Sequence, residues 1–482
     1  MFLFKKLKKA IFIFFILSVL VFCGAIFWRL FPEKLSFLQN SSTNFVDNNL
    51  PEVNSQPEKI EQNVPEKPEE LENFSALLER GENFFSAGLL QFAAQDFLQA
   101  VQISPNEKIG WKKLTEAYTS IRDFNSAEKT ILRSLEFFPD DEEFLQILGE
   151  TKIQKSDFEG AQKIFDSLSD SPIKYFYSGV LSAFSEDYDN AKKLLELAKN
   201  DTKLGSSAEN ILIAFEEFSL FPDGDPLYLK LLLAKSFNEL KFFEMSVLLT
   251  KKILKQNEEY RDAWIILGHS YLSLEKFALA ENAFLAAKKL DPIKPETLLF
   301  LGLAQREIEK IDEAITNLEM AKQNNFIPQD LVILELANTQ LLGGYYRSAR
   351  DNFLQLTELQ PKKIENFSEA IRISIEFLDD VEFAENLAKK LLQNYPESEI
   401  ANNLIAKVFL EKNELEKAEQ SVQTAININP DFSEAYFVLG NIFEKKLEKE
   451  KAIESFKKCY DLSPYSKVGG LAAEKYNSLV LQ

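Results

Sequence analysis

Few residues of this chain could take part in chemistry, and they do not combine into a catalytic or metal-binding set. There is a single histidine, His269, so a histidine-based triad or a multi-histidine metal site would lack its other members. The two cysteines, Cys23 and Cys459, lie far apart and predict neither a disulfide framework nor a zinc cluster. The pair Gly343-Gly344 falls in a predicted turn between helices, where a permissive backbone is needed, rather than in a phosphate loop. We therefore predict a protein that is not an enzyme and holds no cofactor or metal.

The length and the net charge of the chain limit the classes of protein to which it could belong. At 482 residues the chain exceeds what one hydrophobic core usually supports, so it contains several domains or a repeat array. Its formal charge of −20 disfavours nucleic-acid binding, which needs lysine and arginine against phosphates. Only 16 glycines and 17 prolines accompany abundant leucine, glutamate, lysine and alanine, a composition that favours helices.

The clearest pattern lies in residues 260–292, where helical spacing occurs twice, on either side of a turn at 274–276. The residues at the repeated apolar and small positions are Trp264, Leu267, Gly268, Tyr271, Ala280, Phe284 and Ala287. Two antiparallel helices are predicted, and their backbones approach closely where Gly268 faces Ala280. Pro292 cannot continue the second helix and ends it.

This spacing resembles the tetratricopeptide repeat, whose signature is W-x2-L-G-x2-Y, then A-x3-F, then P, with a period of about 34 residues. One such hairpin cannot bury its own apolar face, so the pattern must recur. The small residue that opens the second helix does recur, at Ala93, Ala127, Ala161, Ala191, Ser246, Ala280, Ala314, Ala349, Ala384, Ala418 and Ala452. The resemblance implies an all-α fold, a right-handed superhelical solenoid of about 11 helix-turn-helix repeats.

One interval is irregular, because 55 residues separate Ala191 from Ser246. Residues 202–226 combine an extra helical stretch with a dense turn signal. We predict an extra helix and hinge there, between repeats 1–4 (71–201) and repeats 5–11 (227–466); the alternative is a degenerate repeat that stacks normally. Residues 467–482 are predicted to form a C-terminal capping helix.

The N-terminal region has a different character. Residues 1–9 are basic, and 19 residues without a charge follow at 10–28. A helix of that length spans about 28 Å, close to the thickness of the hydrocarbon layer. We predict an uncleaved transmembrane signal anchor at 10–31, with a cleaved signal peptide as the main alternative. The lysines before it place the N-terminus in the cytoplasm and the array outside it. Residues 32–70 are acidic and proline-rich, which predicts a disordered linker.

The resemblance implies a protein-binding surface, since the first helix of each pair lines a concave face in this family. The predicted exposed positions on that face are Asp262, Ile265, His269, Leu299, Leu303, Leu331, Leu334, Asn338, Asn366, Glu369, Ile373, Asn403, Lys407, Phe437 and Asn441. Such a lining suits an extended or helical peptide with apolar anchors and some basic residues. The alternative for each apolar position is that it packs against the next repeat.

One subtype of the family is disfavoured by particular residues. A chaperone-type carboxylate clamp has a lysine one turn before its groove asparagine, whereas Leu334 precedes Asn338 and Phe437 precedes Asn441. The sequence therefore predicts a membrane-anchored scaffold that binds proteins or peptides, with no nucleic-acid partner and no small-molecule substrate, in envelope or secretion complex assembly. The alternatives are a non-catalytic subunit of an enzyme complex and a cytoplasmic adaptor with inverted topology.

Overall fold

The computed structural model describes residues 73–221 and 224–481. Throughout those residues the chain is helical, with 24 α-helices and no strand. The predicted basic N-terminus (1–9), signal anchor (10–31) and linker (32–70) lie outside the described residues. Among the helices that are described, none combines the length and the apolar character needed to cross a membrane.

The first eight helices form four antiparallel hairpins. They are α1 (Phe74–Ser86), α2 (Leu90–Ile103), α3 (Lys108–Ser120), α4 (Phe124–Phe137), α5 (Glu142–Gln154), α6 (Phe158–Ser167), α7 (Pro172–Phe184) and α8 (Tyr188–Ala198). An unpaired helix, α9 (Gly205–Ser219), follows them within the predicted junction. It packs between α8 and the next helix, and its predicted role as a hinge stays a prediction.

Seven further hairpins and one closing helix complete the array. Hairpins 5 to 8 are α10 (Pro226–Glu239) with α11 (Phe243–Gln256), α12 (Arg261–Ser273) with α13 (Phe277–Leu290), α14 (Pro295–Glu307) with α15 (Ile311–Gln323), and α16 (Gln329–Leu342) with α17 (Tyr346–Leu359). Hairpins 9 to 11 are α18 (Ile364–Glu376) with α19 (Val381–Asn394), α20 (Glu399–Glu411) with α21 (Leu415–Ile428), and α22 (Ser433–Lys445) with α23 (Lys449–Leu462). The last helix, α24 (Lys467–Leu481), packs on α23.

In hairpins 6 and 11 a glycine of the first helix lies under an aromatic ring of the second helix. A Cβ placed on Gly268 would lie 2.6 Å from the ring of Phe284, which is fully buried. Gly440 stands in the same relation to Phe456, with a distance of 2.6 Å to the ring. The aromatic ring of the second helix therefore fills the space that glycine leaves on the first, as the spacing predicts.

Each hairpin reverses direction through one residue with positive φ. In hairpin 8 this residue is Gly344, with φ +76°, which confirms the predicted turn role of the glycine pair. In hairpin 6 it is Glu275, with φ 58°, and in hairpin 11 it is Leu447, with φ 62°. The left-handed conformation is costly for leucine, because its Cβ crowds the backbone and its side chain cannot offset this with a hydrogen bond to the backbone.

The curvature of the array follows from which helices approach one another. First helices of consecutive hairpins contact each other, as in α10 with α12, α18 with α20 and α20 with α22. Within the described residues, second helices of consecutive hairpins make no comparable contact. Since the closer side of a curved stack is its inner side, the first helices line the concave face.

A polar network replaces the aromatic signature in the middle of the array. Gln305 occupies the position that Tyr271 fills one hairpin earlier. The Asn317 amide donates to Gln305 Oε1 at 2.7 Å, and Lys288 Nζ donates to Asn317 Oδ1 at 2.7 Å. The next hairpin repeats the arrangement, since the Asn352 amide donates to Gln340 Oε1 at 2.8 Å. The two amide pairs are satisfied within their hairpins, and Lys288 joins hairpin 6 to hairpin 7.

Candidate partner-binding groove

The concave side of hairpins 2 to 4, here the N-terminal face, is covered by hairpin 5. The second helix of hairpin 5, α11, reaches past hairpin 4 and contacts α5 of hairpin 3. Eight consecutive residues of α7, 176–183, are buried. The ring of Phe242, at the turn of hairpin 5, lies 6.4 Å from that of Phe176 and 6.3 Å from that of Tyr177. The chain itself therefore occupies this face.

Ion pairs fix hairpin 5 against the N-terminal hairpins. Arg122, in the turn of hairpin 2, lies 3.4 Å from a carboxylate oxygen of Glu244 on α11. Glu186, in the turn of hairpin 4, pairs with Lys230 at 2.9 Å and with Lys252 at 3.3 Å. Burial raises the pKa of Glu244, and Arg122 only partly opposes it. The second carboxylate oxygen of Glu244 is buried without a hydrogen-bond partner in the described part of the chain.

A cavity of about 480 Å³ remains where the turn of hairpin 5 meets the N-terminal face. It is lined by Lys112, Thr115, Glu116, Thr119, Arg122, Phe124, Ile147, Glu150, Thr151, Gln154, Lys241 and Phe243. Its charged groups are largely paired, since Lys112 contacts Glu143 at 2.5 Å and Arg122 contacts Glu244. The cavity is thus a packing gap lined by satisfied groups rather than a site with free polar atoms.

The first helices of hairpins 6 to 11, here the C-terminal groove, carry all fifteen predicted positions. Eight of these positions are half-buried and accessible: Asp262, Ile265, His269, Leu331, Leu334, Glu369, Phe437 and Asn441. Lys407 is exposed. These residues provide an apolar stretch at hairpins 6 and 8, a cation at hairpin 10 and an aromatic ring at hairpin 11. Their role in partner binding stays a prediction.

The remaining six positions are buried, and the expectation that they are exposed is wrong. They are Leu299, Leu303, Asn338, Asn366, Ile373 and Asn403. Leu299 and Ile373 have no exposed surface. The first helices approach each other on the concave side, so the neighbouring helix covers a position that an isolated hairpin would expose. The alternative, packing against the next repeat, is therefore correct for Leu299, Leu303 and Ile373.

Hairpin 9 also shows a shift in register that the sequence did not reveal. Its turn, residues 377–380, is one residue longer than the turn 274–276 of hairpin 6. Counting back from Ala384 therefore misplaces the first helix by one position. Arg372, and not Ile373, reaches the accessible side. The 35-residue interval between Ala349 and Ala384 was the available signal, and it did not say where the extra residue lies.

Arg372 is the charged residue of the groove that sequence reasoning missed. Its guanidinium contacts Glu369 at 2.7 Å and Glu376 at 2.9 Å, and lies over the ring of Phe377. Burial acts to lower the pKa of Arg372, but Glu369 and Glu376 overcome this effect and the pKa is raised. Arg372 is thus fully charged and held by two carboxylates on its own helix.

His269 lies against aromatic rings at the start of the groove. Its ring centroid is 3.9 Å from that of Phe300 and 5.5 Å from that of Phe284, and both pairs are edge-on. The imidazole therefore packs edge-on against one ring of its own hairpin and one ring of the next hairpin. Within the described residues, no cluster of histidine, cysteine, aspartate or glutamate side chains could hold a metal ion.

A comparison with known families identifies the repeat. The family model described as tetratricopeptide repeat matches residues 262–294, 400–432 and 433–466. These ranges coincide with hairpins 6, 10 and 11. The chain contains tetratricopeptide repeats. Between these matched repeats and on either side of them, the other hairpins continue the same helical array.

Several solved structures resemble the chain at low sequence identity. The crystal structure of the APC/C hetero-tetramer Cut9-Hcn1 has 11% identity and a TM-score of 0.31, covering 85% of this chain and 96% of that one. Yeast Tom70 has 15% identity and a TM-score of 0.29, with the same two coverages, 85% and 96%. The structure of Naa15/Naa10 bound to HypK-THB has 12% identity and a TM-score of 0.36, covering 85% and 86%. No curated protein matches the chain. At these scores the likenesses say nothing about shared partners.

Proposed function

We propose that this protein is a non-catalytic scaffold that binds a segment of another protein in the C-terminal groove. The observation that carries the proposal is the contrast between the two concave surfaces. Hairpin 5 fills the N-terminal face, whereas Ile265, Leu331, Leu334 and Phe437 keep accessible apolar surface in the groove. An elongated groove with spaced apolar positions suits an extended or helical peptide with apolar anchors.

Site-specific photo-crosslinking in cells tests this proposal. A photoreactive amino acid at Leu334, in the groove, should give a discrete crosslinked product. The matched control is Leu285, which is 43% exposed on the second helix α13. The product from the Leu334 position should disappear when Phe437→Asp is introduced, because that change places a charge in the same groove. Equal products from both positions, or none from either, would overturn the proposal.

We further propose that residues 10–31 anchor the protein in a membrane and that the array lies outside the cytoplasm, where it helps to assemble envelope or secretion complexes. The support is the uncharged run of 19 residues and the four lysines that precede it. Restriction to a membrane surface would raise the effective concentration for membrane-associated partners.

Protease accessibility tests the topology. The array should be cleaved once the outer barrier of the cell is opened but before lysis. Protection until lysis would place it in the cytoplasm and favour an adaptor with inverted topology. This result would leave the groove proposal intact, since the crosslinking experiment does not depend on the compartment.

A further inference from the structure

Lys407 is an unpaired cation in the C-terminal groove. Each other cation on the first helices of hairpins 6 to 11 has a polar partner: Arg261 contacts Asp262 and Asp291, Arg306 contacts Glu335, Arg372 contacts Glu369, and Lys445 donates to Leu410 O. Lys407 has neither an ion pair nor a hydrogen bond in the described part of the chain.

Neighbouring protein groups act on the charge of Lys407, although its side chain is exposed. Desolvation lowers the pKa of Lys407, although Glu376 and Glu434 oppose this effect. Arg372 lies close enough to add to the lowering, and Glu369 to oppose it. Glu369 and Glu376 are already held by Arg372, at 2.7 and 2.9 Å. The nearby carboxylates therefore partly stabilise the charged form of Lys407 without contacting its ammonium group.

Asn403 provides a second unsatisfied group on the same helix face. It precedes Lys407 by four residues, which places both on one side of α20. Its side chain is 3% exposed, and its Oδ1 is buried without a hydrogen-bond partner in the described residues. The adjacent Asn402 differs, since its amide donates to Pro396 O and to Ser398 O, both at 2.9 Å. One face of α20 thus carries an unused acceptor beside an unused cation.

We propose that Lys407 forms a subsite for a carboxylate side chain of the bound partner segment, directly above the buried Asn403. The inference rests on the proposed function of the groove. An aspartate or glutamate would give Lys407 the charge-assisted hydrogen bond that it lacks. A doubly charged phosphate would be repelled by Glu376 and Glu434, so a single negative charge fits better. The partner therefore carries an acidic residue opposite hairpin 10, rather than the basic residues expected for the groove as a whole.

Binding of a library of 12-residue peptides to the full-length protein in detergent tests this subsite. The peptides are made in pairs, here called twins, that differ only in having glutamate or glutamine at one position. Among the peptides that bind, the glutamate twin should bind about tenfold more tightly than the glutamine twin. In Lys407→Met the ratio should fall to about one, because methionine keeps the apolar stem without the charge. Lys417→Met is the matched control, since Lys417 is an exposed lysine on the second helix α21, and it should leave the ratio unchanged.

Two further readouts separate the subsite from a general loss of folding. The glutamate twin should protect Lys407 from amine acetylation, as measured by mass spectrometry, and the glutamine twin should not. Asn403→Leu should raise the thermal stability of the free protein and leave the preference for the glutamate twin unchanged, because it removes a buried unpaired acceptor and keeps Lys407.

The outcomes distinguish this inference from the proposed function. If peptides bind in the groove but show no acidic preference, or keep that preference in Lys407→Met, the subsite is wrong and the scaffold proposal stands. If no peptide binds and crosslinking from Leu334 gives no product, both proposals are overturned.

Discussion

The N-terminal face and the C-terminal groove are built from the same hairpin, yet only one of them is available to a partner. In hairpins 2 to 4 the concave side is covered by hairpin 5, through Phe242 and the Arg122–Glu244 contact. In hairpins 6 to 11 the accessible positions remain, and Lys407 is exposed. The repeat therefore supplies a concave surface, and the rest of the chain decides whether that surface is used internally.

The interiors of the two regions differ as well. The N-terminal region packs aromatic rings, with Phe165 and Tyr177 stacked at 4.5 Å between centroids. The C-terminal region has an aromatic pair at the equivalent interface, Phe284 and Phe300 at 6.1 Å, and adds the polar network of Lys288, Asn317 and Gln305. Aromatic packing tolerates the close approach of hairpin 5, whereas satisfied polar groups fix the register between neighbouring repeats.

The largest expected effect tests what the two regions share. Phe165→Ala and Phe284→Ala each empty a fully buried ring position against a glycine, Gly149 or Gly268. Each substitution should destabilise its region by about 3–5 kcal/mol. Hydrogen exchange of the two regions is the measurement, because a repeat array need not unfold in one step. A cost much smaller in one region would show that its hairpins are not held by the signature contact.

A somewhat smaller effect tests the polar network of the C-terminal region. Asn317→Leu should cost about 1–3 kcal/mol, because it leaves Gln305 Oε1 and Lys288 without their partner in a buried interface. The double variant Asn317→Leu with Gln305→Leu should recover part of the loss, since both polar groups are then absent. Denaturant unfolding of both variants measures these losses in the free energy of unfolding. If the losses of the two substitutions simply add, Asn317 and Gln305 are not coupled in a network.

The closure of the N-terminal face should depend on pH through Glu244. Burial raises its pKa above the ordinary glutamate value in the folded protein, so the contribution of this group to stability is full below that ordinary value and is lost as the pH rises through the folded-state pKa. Glu244→Gln should therefore stabilise the protein at neutral pH and flatten this part of the pH profile. Arg122→Met should cost about 1 kcal/mol at neutral pH, because it leaves a half-buried carboxylate unpaired.

The measurement is thermal unfolding of both variants across pH 4 to 8, a range that brackets the ordinary glutamate pKa of about 4.3. The matched control is Glu416→Gln, a carboxylate that is 88% exposed on the second helix of hairpin 10. A profile that stays unchanged in Glu244→Gln would mean that the contact of hairpin 5 with the N-terminal face does not desolvate this group.

The smallest energetic effect concerns a contact that joins the two ends of the array. The ring of Phe84, near the end of α1, lies 5.0 Å from that of Tyr465, which follows the last hairpin. A short bismaleimide should link Phe84→Cys to Tyr465→Cys within one chain, in a background where Cys23 is replaced by serine. Cys459 is buried and burial raises its pKa to about 11, so it should not react. Single-cysteine variants that label normally without any crosslink in the pair would show that the ends are apart.

Much of this architecture could be predicted from local spacing. The positions of the hairpins, the ring of Phe284 over Gly268, the turn at Gly344, the extra helix α9 and the closing helix α24 all depend on residues that are neighbours along the chain or one repeat apart. In a solenoid such contacts are nearly the only ones, so the period of the sequence carries them.

The candidate groove was predicted less completely, for two physical reasons. The burial of Leu299 depends on how closely consecutive first helices approach, which the period of one repeat does not determine. The exposure of Arg372 in place of Ile373 depends on where an extra residue enters hairpin 9.

The sequence by itself determined that the chain is an all-helical repeat array. Only the tertiary structure decided which concave surface is open, because Arg122 meets Glu244, 122 residues away, and Phe84 meets Tyr465 near the far end of the array. Such contacts arise from rotations that accumulate over many hairpins. No local pattern encodes that sum, whereas each hairpin is fixed by the apolar face that its own residues and its neighbours must bury.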